Sequence, residues 1–165
     1  MRTTTLISLA ALAVVTTTTI PACTSAALRA GEPVPFPVGY RDWHHVKSML
    51  IQPGHALYDA FGGIHHVYAN AAALAGLQTG SYADGAVFAF DLLDVQTGDH
   101  AVQEGQRKVL GVMHRSAAAF PATGGWGFAG FDAAGTDVVK DMRTQCFQCH
   151  EARRDHGFVF SQLRP

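Results

Sequence analysis

The sequence predicts an α+β fold, a mainly antiparallel β-sheet with a few helices, the last of which carries Cys146-Phe147-Gln148-Cys149-His150. Three observations predict it. Short apolar runs of strand character are separated by turns containing Gly, Asn and Asp. One Ala- and Leu-rich stretch has helical composition and stops at Gly80. The strands come first and the motif-bearing helical stretch last, which favours α+β over alternating βα units.

Taken in order, the chain opens with Met1-Arg2, an apolar run over residues 6–15, a Thr run and Ile20-Pro21-Ala22-Cys23. A positive start, a short apolar stretch and small residues predict a secretory signal over residues 1–23. The run is shorter than the roughly 20 apolar residues of a membrane-spanning helix. Cys23 also sits as the acylated residue of a lipoprotein box would, so the sequence admits either a lipid anchor at Cys23 or ordinary cleavage near Thr24-Ser25-Ala26. Both place the protein in the periplasm. Residues 24–39, rich in Pro, Ala and Gly, read as a linker, and the folded domain is expected over residues 40–165.

Within that domain a helical turn or two is expected over residues 42–49, broken by Gln52-Pro53-Gly54-His55. Residues 64–69 read as a strand, 71–78 as a short helix, 83–86 as a turn and 87–95 as a second strand. Residues 109–114 give a third strand. Residues 124–131 give a fourth, with aromatics on alternate positions. Thr136 is placed to cap a helix over residues 137–144 that leads into the cysteine pair.

Composition narrows the function. Lys plus Arg number 12 against 13 Asp plus Glu, a net charge of −1 over 165 residues. No Lys/Arg stripe of the kind nucleic-acid binding needs is present. Of the three cysteines, Cys146 and Cys149 stand in C-x-x-C spacing with His150 next. Two thiols so spaced can form thioether bonds with the two vinyl groups of one haem, and the adjacent histidine then supplies the proximal nitrogen to iron. Other readings of the pair are weaker. A thioredoxin-like motif belongs in a βαβ unit, which is not in view. A zinc site needs further ligands. A disulfide, usual in exported proteins, leaves His150 without a role. The expected cofactor is one covalent haem c.

Tyr40-Arg41-Asp42-Trp43, Val67-Tyr68-Ala69-Asn70, Gly80-Ser81-Tyr82-Ala83-Asp84-Gly85, Gly124-Gly125-Trp126-Gly127-Phe128, the C-x-x-C-H motif and Phe158-Val159-Phe160-Ser161 stand in an order and spacing that resembles the cytochrome P-460 family, which includes the cytochromes c′-beta. The resemblance covers residues 40–165. It implies a mostly β fold, often dimeric, and five-coordinate haem with an open distal face. In the hydroxylamine-oxidising members a lysine after the Asp-Gly turn is cross-linked to the haem. The matching position here is Phe90, and the region around Leu110-Gly111 lacks the glutamate those enzymes use as a proton carrier. Both departures look like cytochrome c′-beta, whose phenylalanine-lined distal pocket binds nitric oxide.

Residues two apart on a strand share a face, so Phe88 and Phe90 point together. If that face covers the iron, the site is apolar, disfavours anions and water, and admits small neutral gases. The bland alternative is that both rings are plain core. His114 and Arg115 are candidates to hydrogen-bond a bound ligand or a haem propionate, or form a polar pair at a strand end. Trp126 and Phe128 share a face and are expected near the macrocycle. Met113 is a candidate sixth ligand, or core. Arg153 and Arg154 follow the ligand histidine by a helical turn and are candidates for a propionate or for surface. His44-His45 and His65-His66 are adjacent pairs; His65 and His66 face opposite sides of a strand and cannot easily reach one metal, and no helical i, i+4 or carboxylate companion pattern marks a second metal site.

The function expected is therefore an exported mono-haem cytochrome binding nitric oxide or a similar gas. Its redox partner protein cannot be named from the sequence. Hydroxylamine or nitrogen-oxide turnover of the P-460 type, and electron transfer by six-coordinate haem, are the alternatives.

Overall fold

The computed structural model describes residues 28–164; the expected signal segment and Cys23 lie outside them. Five strands form one antiparallel sheet in simple sequence order: β1 (His44–Ile51), β2 (Gly63–Ala69), β3 (Val87–Gly98), β4 (Ala101–Arg115) and β5 (Trp126–Phe131). Helix α1 (Tyr58–Phe61) links β1 to β2, and α2 (Ala71–Thr79) links β2 to β3. The expected α+β architecture is what forms.

The segment expected as a helix over residues 42–49 is instead strand β1, preceded by a single 3-10 turn at Tyr40–Asp42. The reason is non-local. Its backbone pairs with β2 from His44 opposite Ala69 to Ile51 opposite Gly63, and this pairing overrides a weak local preference. Strand β4 also starts earlier than its apolar run suggested. Asp99 and His100 both adopt positive φ, 50° and 60°, forming a tight hairpin turn that carries β3 directly into β4.

The expected helix α2 is present and well specified. Asn70 Oδ1 accepts from the backbone N–H of Ala73 at 2.9 Å, capping the helix, and also from that of Val87 at 3.0 Å. Asn70 Nδ2 donates to the Gly85 carbonyl at 2.9 Å, so one side chain ties the helix start to the Ala83–Gly85 turn.

Register fixes which side chains share a face, because directly paired residues project to the same side. Phe88 lies opposite Ala69 and Met113, and Phe90 opposite Val67 and Gly111. Phe128 lies opposite Met113, and Trp126 opposite Arg115. This first face is covered by α2 and the C-terminal segment, with Val67, Phe88, Trp126 and Phe128 packed against Ala73, Phe147 and Val159. The second face carries Val87, Ala89, Leu110, Val112, Ala129 and Phe131. Residues 28–39, which composition suggested were a linker, pack on this second face: Val34 is buried and Phe36 meets Phe131 edge to face at 5.2 Å.

The second face also holds a charged cluster. Asp91, 1% exposed, accepts from Arg107 Nε at 2.7 Å, from Arg41 at 3.1 Å, and from the Tyr40 hydroxyl. Arg107 also donates to the Tyr40 oxygen at 2.6 Å. Burial alone would push the Asp91 carboxyl up, but these hydrogen bonds and the Arg107 charge outweigh it and hold it below the ordinary aspartate value.

After β5 the chain departs from expectation once more. Thr136 does not cap a helix. Asp137 Oδ1 accepts from the Gly130 and Val139 backbone N–H groups, and Val138 N–H donates to the Gly130 carbonyl at 2.7 Å. These bonds extend the sheet edge and postpone the helix, which runs over residues 143–156 as a π turn, an α turn and a 3-10 turn.

The candidate haem site

The C-terminal helix begins where Asp141 and Gln145 offer side-chain acceptors to backbone donors at its start and just before it. Gln145 Oε1 accepts from Lys140 N–H at 2.7 Å and Asp141 N–H at 2.8 Å, and Asp141 Oδ1 accepts from Arg143 N–H at 2.9 Å. The helix then carries Cys146, Cys149 and His150. Residues three apart on a helix are surface neighbours, so the spacing presents both thiols on one side. Both cysteines are free, Cys146 half-buried against the first-face core and Cys149 exposed. Burial, and then the nearby Asp137 charge, push the Cys146 thiol up to about 11, so it is neutral at physiological pH.

His150 is oriented from behind. Its Nδ1 lies 2.8 Å from the Phe158 carbonyl oxygen. A carbonyl can only accept, so Nδ1 carries the proton and Nε2 is left with its lone pair. Burial lowers the His150 pKa, only partly offset by the carbonyl contact, so the ring is neutral near pH 7, as metal ligation requires. The ring packs at 5.0 Å from that of Phe128 and edge to face at 5.1 Å on Phe160.

This donor set matches what a covalent haem requires. Two reduced thiols one helical turn apart, followed by a neutral imidazole with Nε2 available and Nδ1 bound to a backbone carbonyl, are what thioether attachment and axial ligation need. The residues fit. Cys146, Cys149 and His150 would hold the group.

The remaining sequence candidates divide. Phe88 is 4% exposed and packs with Trp126 at 6.1 Å and Tyr82 at 5.8 Å, so it is deep core. Phe90, on the same face, is only half-buried. It meets Phe61 edge to face at 6.1 Å and His65 at 4.6 Å. Arg115 lies on the first face, where Nη1 donates to the Gly124 carbonyl at 2.8 Å and the guanidinium stands over the Trp126 ring at 5.8 Å. Trp126 is buried and its indole N–H donates to the Gly157 carbonyl at 2.9 Å. His114 projects to the second face beside Val87 and Gly127, across the sheet from His150. The structure thus separates the His114-Arg115 pair that adjacency had joined.

Met113 lies opposite both Phe88 and Phe128. Met113 therefore lies on the first face, partly buried against its core. Arg153 stacks over Phe160 at 5.8 Å, and Arg154 pairs with Glu151 at 2.9 Å. His45, Ser48, His66 and Glu104 form a hydrogen-bonded chain outside the first face, but among the described residues no group of three or more His, Cys, Asp or Glu is placed to hold a metal.

Sequence reasoning missed Phe61 and the Phe158 carbonyl. Phe61 lies in a four-residue helix too short to show a period. The carbonyl has no side-chain signal at all, although Gly157 after an Arg-rich turn marks a left-handed cap.

A family model described as Cytochrome P460 matches residues 37–161. Among curated proteins, none matches the chain.

Proposed function

This chain belongs to the cytochrome P460 family and is a c-type haem cytochrome of it; we propose that it is exported, that His150 is the only protein ligand to its iron, and that it captures small neutral gases such as nitric oxide. When bound, the haem would supply an iron able to take up a small gaseous ligand. The observation that carries the reading is the Phe90–Phe61 pair, two rings at 90° and 6.1 Å on the face that also carries the His150 contacts. Aromatic edges offer no hydrogen bond, so water and anions gain little there, whereas a neutral diatomic forfeits nothing.

A second reading, turnover of hydroxylamine or a nitrogen oxide, is favoured by His65. Its buried Nδ1 has no hydrogen-bond partner and its ring lies against Phe90, where a proton acceptor would serve such chemistry. Against it, Phe90 cannot form the cross-link of the catalytic members, and Lys108, the nearest lysine after it in the chain, is committed to the Gly62 carbonyl at 2.9 Å.

The absorption spectrum of the reduced protein, with and without nitric oxide, decides between these. High-spin haem that changes on adding nitric oxide is expected. A sharp low-spin six-coordinate spectrum insensitive to nitric oxide would establish an electron carrier instead. A Soret band displaced far to the red would establish a lysine cross-link and overturn the role given to Phe90.

A further inference from the structure

We propose that Trp126 is a positioning residue for His150: through Gly157 and the left-handed Phe158 it sets the strength of the bond between histidine and iron, with Arg115 bracing the turn. This rests on His150 being the axial ligand. It goes beyond the gas-binding reading by naming what controls that ligand.

The argument starts from Phe158, which adopts φ of +69°. A side-chain-bearing residue enters that region at a cost and stays there only when its surroundings over-determine it. Three hydrogen bonds do so here. The Phe158 N–H donates to the Arg153 carbonyl at 2.7 Å, the preceding carbonyl of Gly157 accepts from Trp126 Nε1 at 2.9 Å, and the Phe158 carbonyl accepts from His150 Nδ1 at 2.8 Å. The indole N–H is the only polar atom of a side chain otherwise sealed in the core, and it is spent on this turn.

The Phe158 ring is held as well. A Cβ at Gly124 would stand 2.4 Å from it, so the ring fits only because residue 124 is glycine. Arg115 fixes that glycine through its carbonyl at 2.8 Å and reaches the Tyr82 carbonyl from Nε at 3.3 Å. The residue that the sequence offered to a propionate is therefore engaged in a second layer behind the histidine.

The chemistry follows from the acceptor. A carbonyl on Nδ1–H raises the basicity of Nε2 and strengthens its bond to iron, which favours the oxidised state and lowers the potential. If the indole N–H is removed, the turn is free to leave the left-handed region and its carbonyl withdraws.

The test uses the haem-loaded protein and Trp126→Phe, which keeps an aromatic ring and loses the N–H. Two quantities are read: the iron–histidine stretching band of the reduced protein by resonance Raman, and the midpoint potential. The band is expected to move to lower frequency and the potential upward. Tyr40→Phe, which weakens the fold from the opposite face of the sheet, is expected to leave both in place. A folded Trp126→Phe protein with band and potential unchanged overturns the proposal. Should that variant not accumulate, Phe158→Gly and Phe158→Val decide. Glycine tolerates positive φ and is expected to keep the band, valine to lower it, and equal bands overturn the proposal. If the reduced wild type is low-spin and shows no iron–histidine band, the five-coordinate reading fails by itself, and the potential of Trp126→Phe still judges the tether.

Discussion

His150 and Phe158 are joined by a 2.8 Å hydrogen bond in which Nδ1 donates to the main-chain carbonyl, eight positions along the chain. The bond selects the tautomer that leaves Nε2 free. It also makes the orientation of the His150 ring a property of a backbone turn that no substitution at residue 158 deletes outright.

Replacing His150 by Gly is expected to leave haem attached through Cys146 and Cys149 but to abolish the histidine-ligated spectrum. Added imidazole should restore it, since the cavity left behind matches the ring. Replacing both cysteines by Ser should instead release haem into acidified organic solvent. Haem that stays in the protein fraction would contradict thioether attachment.

The two phenylalanines of β3 are expected to separate on truncation. Phe88→Ala removes a ring from packed core and should cost about 3–5 kcal/mol of stability with little change in gas-binding kinetics. Phe90→Ala should cost less, because Phe90 is half-buried, and should speed entry of carbon monoxide and nitric oxide in flash-photolysis or stopped-flow traces. Equal kinetics in the two variants would remove Phe90 from the ligand's path.

The Asp91 cluster predicts a pH dependence of stability. Its carboxyl is held below the ordinary value of 3.8, so the stability it contributes is present above that value and is lost as pH falls through the lower folded-state value. Tyr40 acts at the other end. Burial, and then its hydrogen bond to Asp91, raise it from 10.0 to about 12, so its contribution is full below 10 and disappears as pH rises through 12. Chemical denaturation across pH should show both losses, and Asp91→Ala, which strands Arg107, should cost about 3–5 kcal/mol at pH 7.

Asn70→Ala is expected to cost about 1–2 kcal/mol. The side chain caps α2 through Ala73 N–H and also pins Val87 and Gly85, so the loss should exceed that of a simple cap. Thermal unfolding monitored at 222 nm (far-ultraviolet circular dichroism, roughly the helix band) checks it.

Much of the fold was legible, and so was the motif on which the candidate site is built. The cysteine–histidine triplet is a local pattern whose chemistry depends on spacing alone, so Cys146, Cys149 and His150 could be named from sequence. Strands β2, β3 and β5 and helix α2 were readable for the same reason: their periods and end signals lie within their own residues. Strand β1 was not, because residues 44–51 become a strand only by pairing with β2. The late start of the C-terminal helix depended likewise on Asp137 reaching Gly130.

The α+β class and the C-x-x-C-H motif, with the haem attachment it is consistent with, can be read from the chain alone, since covalent spacing and hydrophobic period are local properties. Long-range packing is what makes Phe88 core while Phe90 faces Phe61, sets Arg115 against Gly124 while His114 turns to the other face, and brings a left-handed Phe158 to supply the acceptor for His150. Each of these depends on which distant segments meet. That choice is made by packing two faces of one sheet against different stretches of chain, and no local pattern encodes it.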